Sequence, residues 1–254
     1  MTPGTLYGIG VGPGDPEWIT IKAARILAAC PHVCAPKADA GAESLALEIA
    51  QAYLRPDVVV HEQAYPMTSD RELLRRHWRH AAREVHAILA QGHDCGFLTL
   101  GDPLLYSTYI YLLRELRALD PGVRVVTVPG ITSFSAAAAL ANRPVGEGKQ
   151  TVTIVPAADD LQTFTAALDR GGTVVLMKIG RRLDRALEAL EVRGLLDRTV
   201  FVSRAGMAEQ RVETDARRLR GLSEDAGYLS VLIVHAAEAT PSAERESPSK
   251  EIAR

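Results

Sequence analysis

The sequence lacks any apolar run approaching the roughly 18–20 residues that a membrane-spanning helix needs. It begins Met-Thr-Pro-Gly, without a basic segment leading into an apolar one, so no signal peptide is expected there. Cysteine is scarce, at three in 254 residues. An odd number in a chain this long argues against a disulfide framework and for a reducing compartment, with the cytoplasm as the expected address. Charge of one sign is also missing. The net charge is -2, so nothing in the total attracts nucleic acid or an acidic membrane, and charge-based recognition must be local. Hydrophobic residues at 47% and charged ones at 24% argue against disorder.

Several catalytic signatures are absent too. No Gly-x-Ser-x-Gly elbow occurs, and Ser133 and Ser135 have no candidate base nearby in sequence. No Gly-Lys-Ser/Thr is present, which removes the P-loop. A dinucleotide fingerprint starting at Gly8 and Gly10 meets Pro13 where its third glycine belongs, and Ala35-Pro36-Lys37 stands where an acidic ribose ligand would follow. Cys30-Pro-His-Val-Cys34, and His77 with His80, have the residue types of metal sites but no second cluster, so ordinary packing is the expected role. Arg71, Arg75, Arg79 and Arg83 recur every four residues on one helix. A solvated face is the simpler explanation; a polycarboxylate partner is the alternative, because arginine pairs bidentately with carboxylates.

What is present is Gly-Asp-Pro, twice. Gly14-Asp15-Pro16 and Gly101-Asp102-Pro103 each end an apolar run of strand character. Asp-Pro then offers a helix N-cap followed by proline at the first helical position. In open parallel sheets ligands sit beyond the carboxyl ends of strands, so these two loops are the first candidates for a site.

Strand-like and helical periods alternate through the whole chain. Strands are expected at 6–11, 33–35, 58–61, 95–100 and 123–128. Helices are expected at 17–29, 44–53, from a capping box Ser69-x-x-Glu72 to near Gly92, 104–119 and 132–141. The stretch 143–149, with a proline and two glycines, reads as a linker. The pattern then restarts, with strands at 151–155, 173–177, 199–203, 211–214 and 228–234 and helices at 160–168, 183–193 and 216–222. The expected fold is two α/β domains with mainly parallel sheets, mixed towards the end where strands crowd together. Their spans would be 1–145 and 149–236, followed by a polar tail at 237–254.

The order of the motifs carries a family resemblance. Gly10-Val-Gly-Pro-Gly-Asp-Pro16, Leu98-Thr-Leu-Gly-Asp-Pro-Leu-Leu-Tyr106, Val128-Pro-Gly-Ile-Thr-Ser133, Val174-Val-Leu-Met-Lys178 and Arg204-Ala-Gly206 with Gln210-Arg-Val212 resemble, in this order, the tetrapyrrole methylases. The likeness runs from Gly4 to about Val234. Within the family, Leu100–Thr108, Pro66–Asp70 and Tyr228–Val234 are most similar to the methyltransferases acting on precorrin-2 at C-20. The resemblance implies S-adenosylmethionine in a cleft between two domains, and a homodimer. Matched position by position, it implies cofactor contacts at Pro13, Leu100, Gly101, Asp102, Leu105, Thr132, Ser133, Met177, Ala205 and Ser230. Tyr106, beside the cofactor loop, is the candidate substrate contact or proton relay. No metal is implied. Relatives that methylate uroporphyrinogen place a Tyr-Asp pair where Pro36 stands, which argues against that substrate and removes the obvious base. A same-fold methylase for another target, a nicotinamide oxidoreductase and a non-catalytic binding module remain as alternatives.

Overall fold

The computed structural model describes residues 2–38, 41, 43–66, 68, 70–157, 161–222 and 224–236. The proposed tail, Ser69 of the expected capping box, Met67 and Asp160 lie outside them.

The first half builds one parallel sheet from β1 (Thr5–Gly10), β2 (His32–Lys37), β3 (Val59–Ala64), β4 (Cys95–Thr99) and β5 (Arg124–Val128), in the order β3-β2-β4-β1-β5. Helices cover both faces, which is why these strands read as near-continuous apolar runs. α1 (Ile21–Ala29) and α2 (Leu45–Ala50) pack with Ile9, Val33, Leu98 and Val128. α3 (Arg71–Ala90) and α4 (Tyr109–Leu119) pack with Leu6, Cys34, Cys95 and Phe97 on the other side. A Cβ on Gly8 would lie 2.2 Å from the Tyr109 ring, so the glycine makes room for that side chain in the core.

The second half builds a five-stranded sheet, β6-β7-β10-β8-β9, from β6 (Val152–Pro156), β7 (Gly172–Met177), β8 (Thr199–Ser203), β9 (Arg211–Glu213) and β10 (Ser230–Ala236). Its one parallel pair is β6–β7, where α6 (Gln162–Arg170) supplies the crossover; the pairs involving β8, β9 and β10 are antiparallel. α6 and α7 (Leu183–Glu191) bury one face of this sheet. The other face, carrying Val175, Met177, Val200, Val202, Val231 and Ile233, is covered by α5 (Ser133–Ala141) through Ala136 and Ala137. α5 leaves β5 of the first sheet and packs on the second, so it fastens the two together.

Several expected boundaries shift, each for a local reason. The helix expected at 17–29 is two pieces. Asp15 accepts from the Glu17 N–H at 2.8 Å and caps a short 3-10 turn, Pro16–Trp18, and Thr20 then caps α1 afresh. α3 is capped by Asp70, whose carboxylate accepts from the Glu72 and Leu73 N–H groups. α4 starts at Tyr109 rather than 104, and 216–222 is a single 3-10 turn, Ala216–Leu219. Cys30, Cys34 and Cys95 are free and buried, with Cys34 and Cys95 Sγ 3.6 Å apart, a packing role for both cysteines of the 30–34 cluster.

At the amino ends of β2 and β4, His32 lies against the rings of His61 and His93, and His32 Nδ1 is 3.0 Å from His61 Nε2. Desolvation first, then the two neighbouring imidazoles, lower the His32 pKa from its ordinary 6.5. The unfolded chain therefore binds this proton more readily than the folded one, and stability falls as pH drops through the unfolded value. The expected result is a melting temperature that declines between pH 7.5 and 5.5, with a smaller decline in His32→Gln; equal slopes in thermal melts would contradict it.

Candidate active site at the junction of the two sheets

The carboxyl-end loops of β1, β4 and β5 meet backbone to backbone. Gly12 and Gly101 form an isolated bridge, with the Gly101 N–H donating to the Gly12 carbonyl at 2.8 Å. A Cβ on Gly130 would lie 2.2 Å from the Gly101 carbonyl oxygen and 2.8 Å from Gly10 Cα. Only glycine permits this approach at residues 10 and 130. Gly101 itself is left-handed, at φ +74, and a Cβ there would meet nothing closer than 3.9 Å, so the space beside it is open.

Asp102 is not the helix cap that the Asp-Pro pattern suggested. One carboxylate oxygen accepts from the Leu104 N–H at 2.9 Å, making a tight turn, and the other accepts from the Gly130 N–H at 3.1 Å. It braces the β4 loop against the β5 loop. The chain then enters the left-handed region at Tyr106 (φ +50), and Ser107 Oγ donates back to the Pro103 carbonyl. That reversal is why α4 starts late. It also projects Tyr106 towards the second sheet, where its hydroxyl donates to the Ile154 carbonyl of β6 at 3.4 Å.

The second sheet offers a matching edge. Ser230 pairs with Ser203, and Val231 pairs with Met177, so the ends of β7 and β8 and the start of β10 lie side by side. A Cβ on Gly14 would lie 2.2 Å from the Ala205 carbonyl, and one on Gly206 would lie 2.5 Å from the Asp15 nitrogen. The first Gly-Asp-Pro loop thus packs directly on the loop after β8. Leu105, Met177 and Ala205 share one apolar cluster with Ile131 and Trp18. Thr132 caps α5, its Oγ1 accepting from the Ser135 N–H at 3.4 Å and lying 2.8 Å from Ser135 Oγ. Ser230 is buried, with its hydroxyl donating to the Gly227 carbonyl at 2.7 Å. Pro13, Leu100, Gly101, Asp102, Leu105, Thr132, Ser133, Met177, Ala205, Ser230 and Tyr106 are all drawn from these apposed strand ends.

Two features support a ligand here. Thr99 Oγ1, at the end of β4, is buried with no hydrogen-bond partner among the described residues, a situation normally resolved by a bound group or water. In addition, Tyr106, Lys178, Arg204 and Leu229 all adopt left-handed backbone (φ +49 to +59) at these strand ends. Such conformations cost about 1–3 kcal/mol each and cluster at ligand sites. The left-handed backbone at these positions was invisible in the residue types alone. Surface hollows of about 340 Å³, near Tyr7 and Asp94 at the amino ends of the strands, and about 420 Å³, between Trp18 and α5, are less informative. The first is remote from these loops, and the second borders them through Ile131 and Ser135. Among the described residues no group of three or more His, Cys, Asp or Glu side chains could hold a metal ion, and no helix is long and apolar enough to cross a membrane. The arginines of α3 are exposed, with Arg79 paired to Glu115 of α4.

Two α/β sheets with glycine-rich strand ends apposed across a junction form the kind of crevice in which α/β folds commonly bind small molecules. The chain belongs to the Tetrapyrrole (Corrin/Porphyrin) Methylases, whose family model matches residues 5–219. It is 32% identical over 234 residues to the cobalt-precorrin-2 C(20)-methyltransferase of Salmonella typhimurium, covering 91% of this chain and 96% of that protein. It is 36% identical over 217 residues to the cobalamin biosynthesis protein CobIJ of Mycobacterium tuberculosis, covering 82% of this chain but 42% of the longer relative. Among solved structures it is similar to the uroporphyrin-III C-methyl transferase of Thermus thermophilus complexed with S-adenyl homocysteine. That likeness has a TM-score of 0.61 and 25% identity, and covers 91% of this chain and 92% of that one.

Proposed function

We propose that this protein methylates precorrin-2 at C-20, using S-adenosylmethionine, in the synthesis of the corrin ring. The observation that carries this reading is the near full-length similarity to a relative named for C-20 methylation, joined to the strand-end junction described above. The cofactor fits the residues present. The open space beside Gly101 offers room for it. Backbone groups at Pro13, Leu100, Gly101 and Thr132–Ser133 would hold it, with Met177, Ala205 and Ser230 on the second sheet and Asp102 fixing the loop. When bound, S-adenosylmethionine supplies an electrophilic methyl group on a sulfonium centre.

The residues of the chain have mainly to align and to exclude water. The bridge carbon of the substrate is enamine-like and already nucleophilic, so no strong base is needed before attack. Holding reacting groups in line can contribute roughly 7–11 kcal/mol to lowering a barrier. Leu105, Met177 and Ala205 form the apolar part of the junction, and Tyr106, on its left-handed turn, contacts the macrocycle or relays a proton. Arg204, whose guanidinium sits 5.8 Å from the centre of the exposed Tyr228 ring, meets a substrate carboxylate. The remaining parts of the reading are a homodimer in the cytoplasm and a division into units of 1–145 and 149–236.

The metal-free and cobalt-bearing forms of precorrin-2 are separable by experiment. Turnover of methyl-labelled S-adenosylmethionine is measured with each form in turn. At least one is expected to accept one methyl group per macrocycle; failure of both would overturn the reading.

A further inference from the structure

We propose that His32 and His61 form a binding site for a late first-row transition-metal ion, copper(II) or nickel(II), at the edge of the first sheet. The inference stands apart from the methylation proposed above.

Cys30-Pro-His-Val-Cys34 carries the residue types of a metal site, and both of its cysteines are buried. Its histidine is only half-buried, at the start of β2. Folding brings that ring against His61 of β3 and against His93, which lies between α3 and β4. Three of the seven histidines in the chain thus meet from three separate segments.

The strand register sets the geometry of the pair. His32 lies opposite Val59, and His61 stands two residues beyond Val59. Residues two apart in a strand share a face, so both rings leave the sheet on the same side. His32 Nδ1 and His61 Nε2 end 3.0 Å apart. One ring donating its N–H to the lone pair of the other accounts for that distance, and a shared cation suits it equally well. With metal–nitrogen bonds of about 2.0–2.1 Å, nitrogens 3.0 Å apart subtend roughly 90° at the metal. That is the angle between neighbouring ligands in the square-planar or tetragonal sites of copper(II) and nickel(II), whereas zinc takes the wider tetrahedral angle. Imidazole suits all three ions. On binding, the donor ring moves its hydrogen to its other nitrogen, so both rings stay neutral and each offers a lone pair. Two nitrogens converge, and water fills the remaining positions. His93 is exposed and flanks the pair, with its ring centre 5.1 Å from that of His32.

β3 is an edge strand whose one partner in the sheet is β2. A cation held by His32 and His61 cross-links the two strands, so metal should stabilise the fold. The pair lies near the amino ends of the strands, and the junction of the two sheets lies beyond carboxyl ends, so the two sites are separate.

The test is calorimetry of the untagged, chelator-treated full chain with nickel(II) chloride and, separately, zinc chloride. One nickel ion per chain is expected, bound more tightly than zinc. Nickel at about 100 times its Kd should raise the melting temperature by about 5 °C. Copper(II) should give an electron paramagnetic resonance spectrum split by imidazole nitrogen. His32→Gln and His61→Gln should each weaken nickel binding by about tenfold or more, since even the outer partners of metal ligands contribute that much. The double variant His77→Gln with His80→Gln, on α3, should bind as wild type does. Should a single variant fold poorly by circular dichroism, labelling of the wild type with diethyl pyrocarbonate decides: nickel should protect His32 and His61 and leave His77 reactive. Absence of binding, zinc bound more tightly than nickel, affinity undiminished in both single variants, or His32 and His61 left unprotected would each overturn the proposal.

Discussion

Replacing Gly130 with alanine is expected to force apart the β1, β4 and β5 loops at the junction. The new Cβ would lie 2.2 Å from the Gly101 carbonyl oxygen and 2.8 Å from Gly10 Cα. All of these neighbours are backbone, so no side chain can rotate away, and the β1, β4 and β5 loops must separate. Overpacking of this kind typically costs about 1–3 kcal/mol, occasionally more. In a chain this long each kcal/mol lowers the melting temperature by roughly 2–4 °C. Because the displaced loops are the proposed cofactor loops, affinity for S-adenosylhomocysteine should fall more than tenfold. Gly122→Ala is the control. Its Cβ would first meet Asp120 Oδ1, at 3.4 Å, so both properties should stay near wild type. Calorimetry and thermal melts of the two variants check the contrast; equal behaviour would contradict the close-packed junction.

Loss of the Asp102 carboxylate should come next in size. Asp102→Ala deletes the acceptors of the Leu104 and Gly130 N–H groups together, and hydrogen bonds to charged groups contribute about 1.5–3 kcal/mol each. Asp102→Asn keeps one acceptor oxygen and should fall between alanine and wild type. Adding Thr132→Ala removes the α5 cap, a further cost of about 1 kcal/mol. The double variant should bind S-adenosylhomocysteine at least tenfold more weakly. Calorimetric affinity equal to wild type in the double variant would contradict the assignment of this site.

The two Gly-Asp-Pro triplets show how far residue types alone can carry a structure. Both were legible as strand ends, because an apolar run stopped by glycine is a local signal. Their equivalence was misleading. Asp15 does cap a turn, while Asp102 serves the loop of a strand nearly 30 residues further on, and no sequence period encodes that contact. The five parallel strands of the first sheet were readable from alternation with helices. The antiparallel pairing of β10 between β7 and β8 was not, because β10 lies 53 residues beyond the end of β7 and enters from a loop. α5 was legible as a helix, yet its alanine-rich face gives no hint that it crosses to the other sheet.

The most direct measurement is the position of the transferred carbon. The protein is incubated with precorrin-2, or its cobalt-bearing counterpart, and S-adenosylmethionine carrying a 13C-labelled methyl group, and the product is read by carbon NMR. One enriched methyl signal, attached to C-20, is expected. Enrichment at any other carbon, with none at C-20, would contradict it.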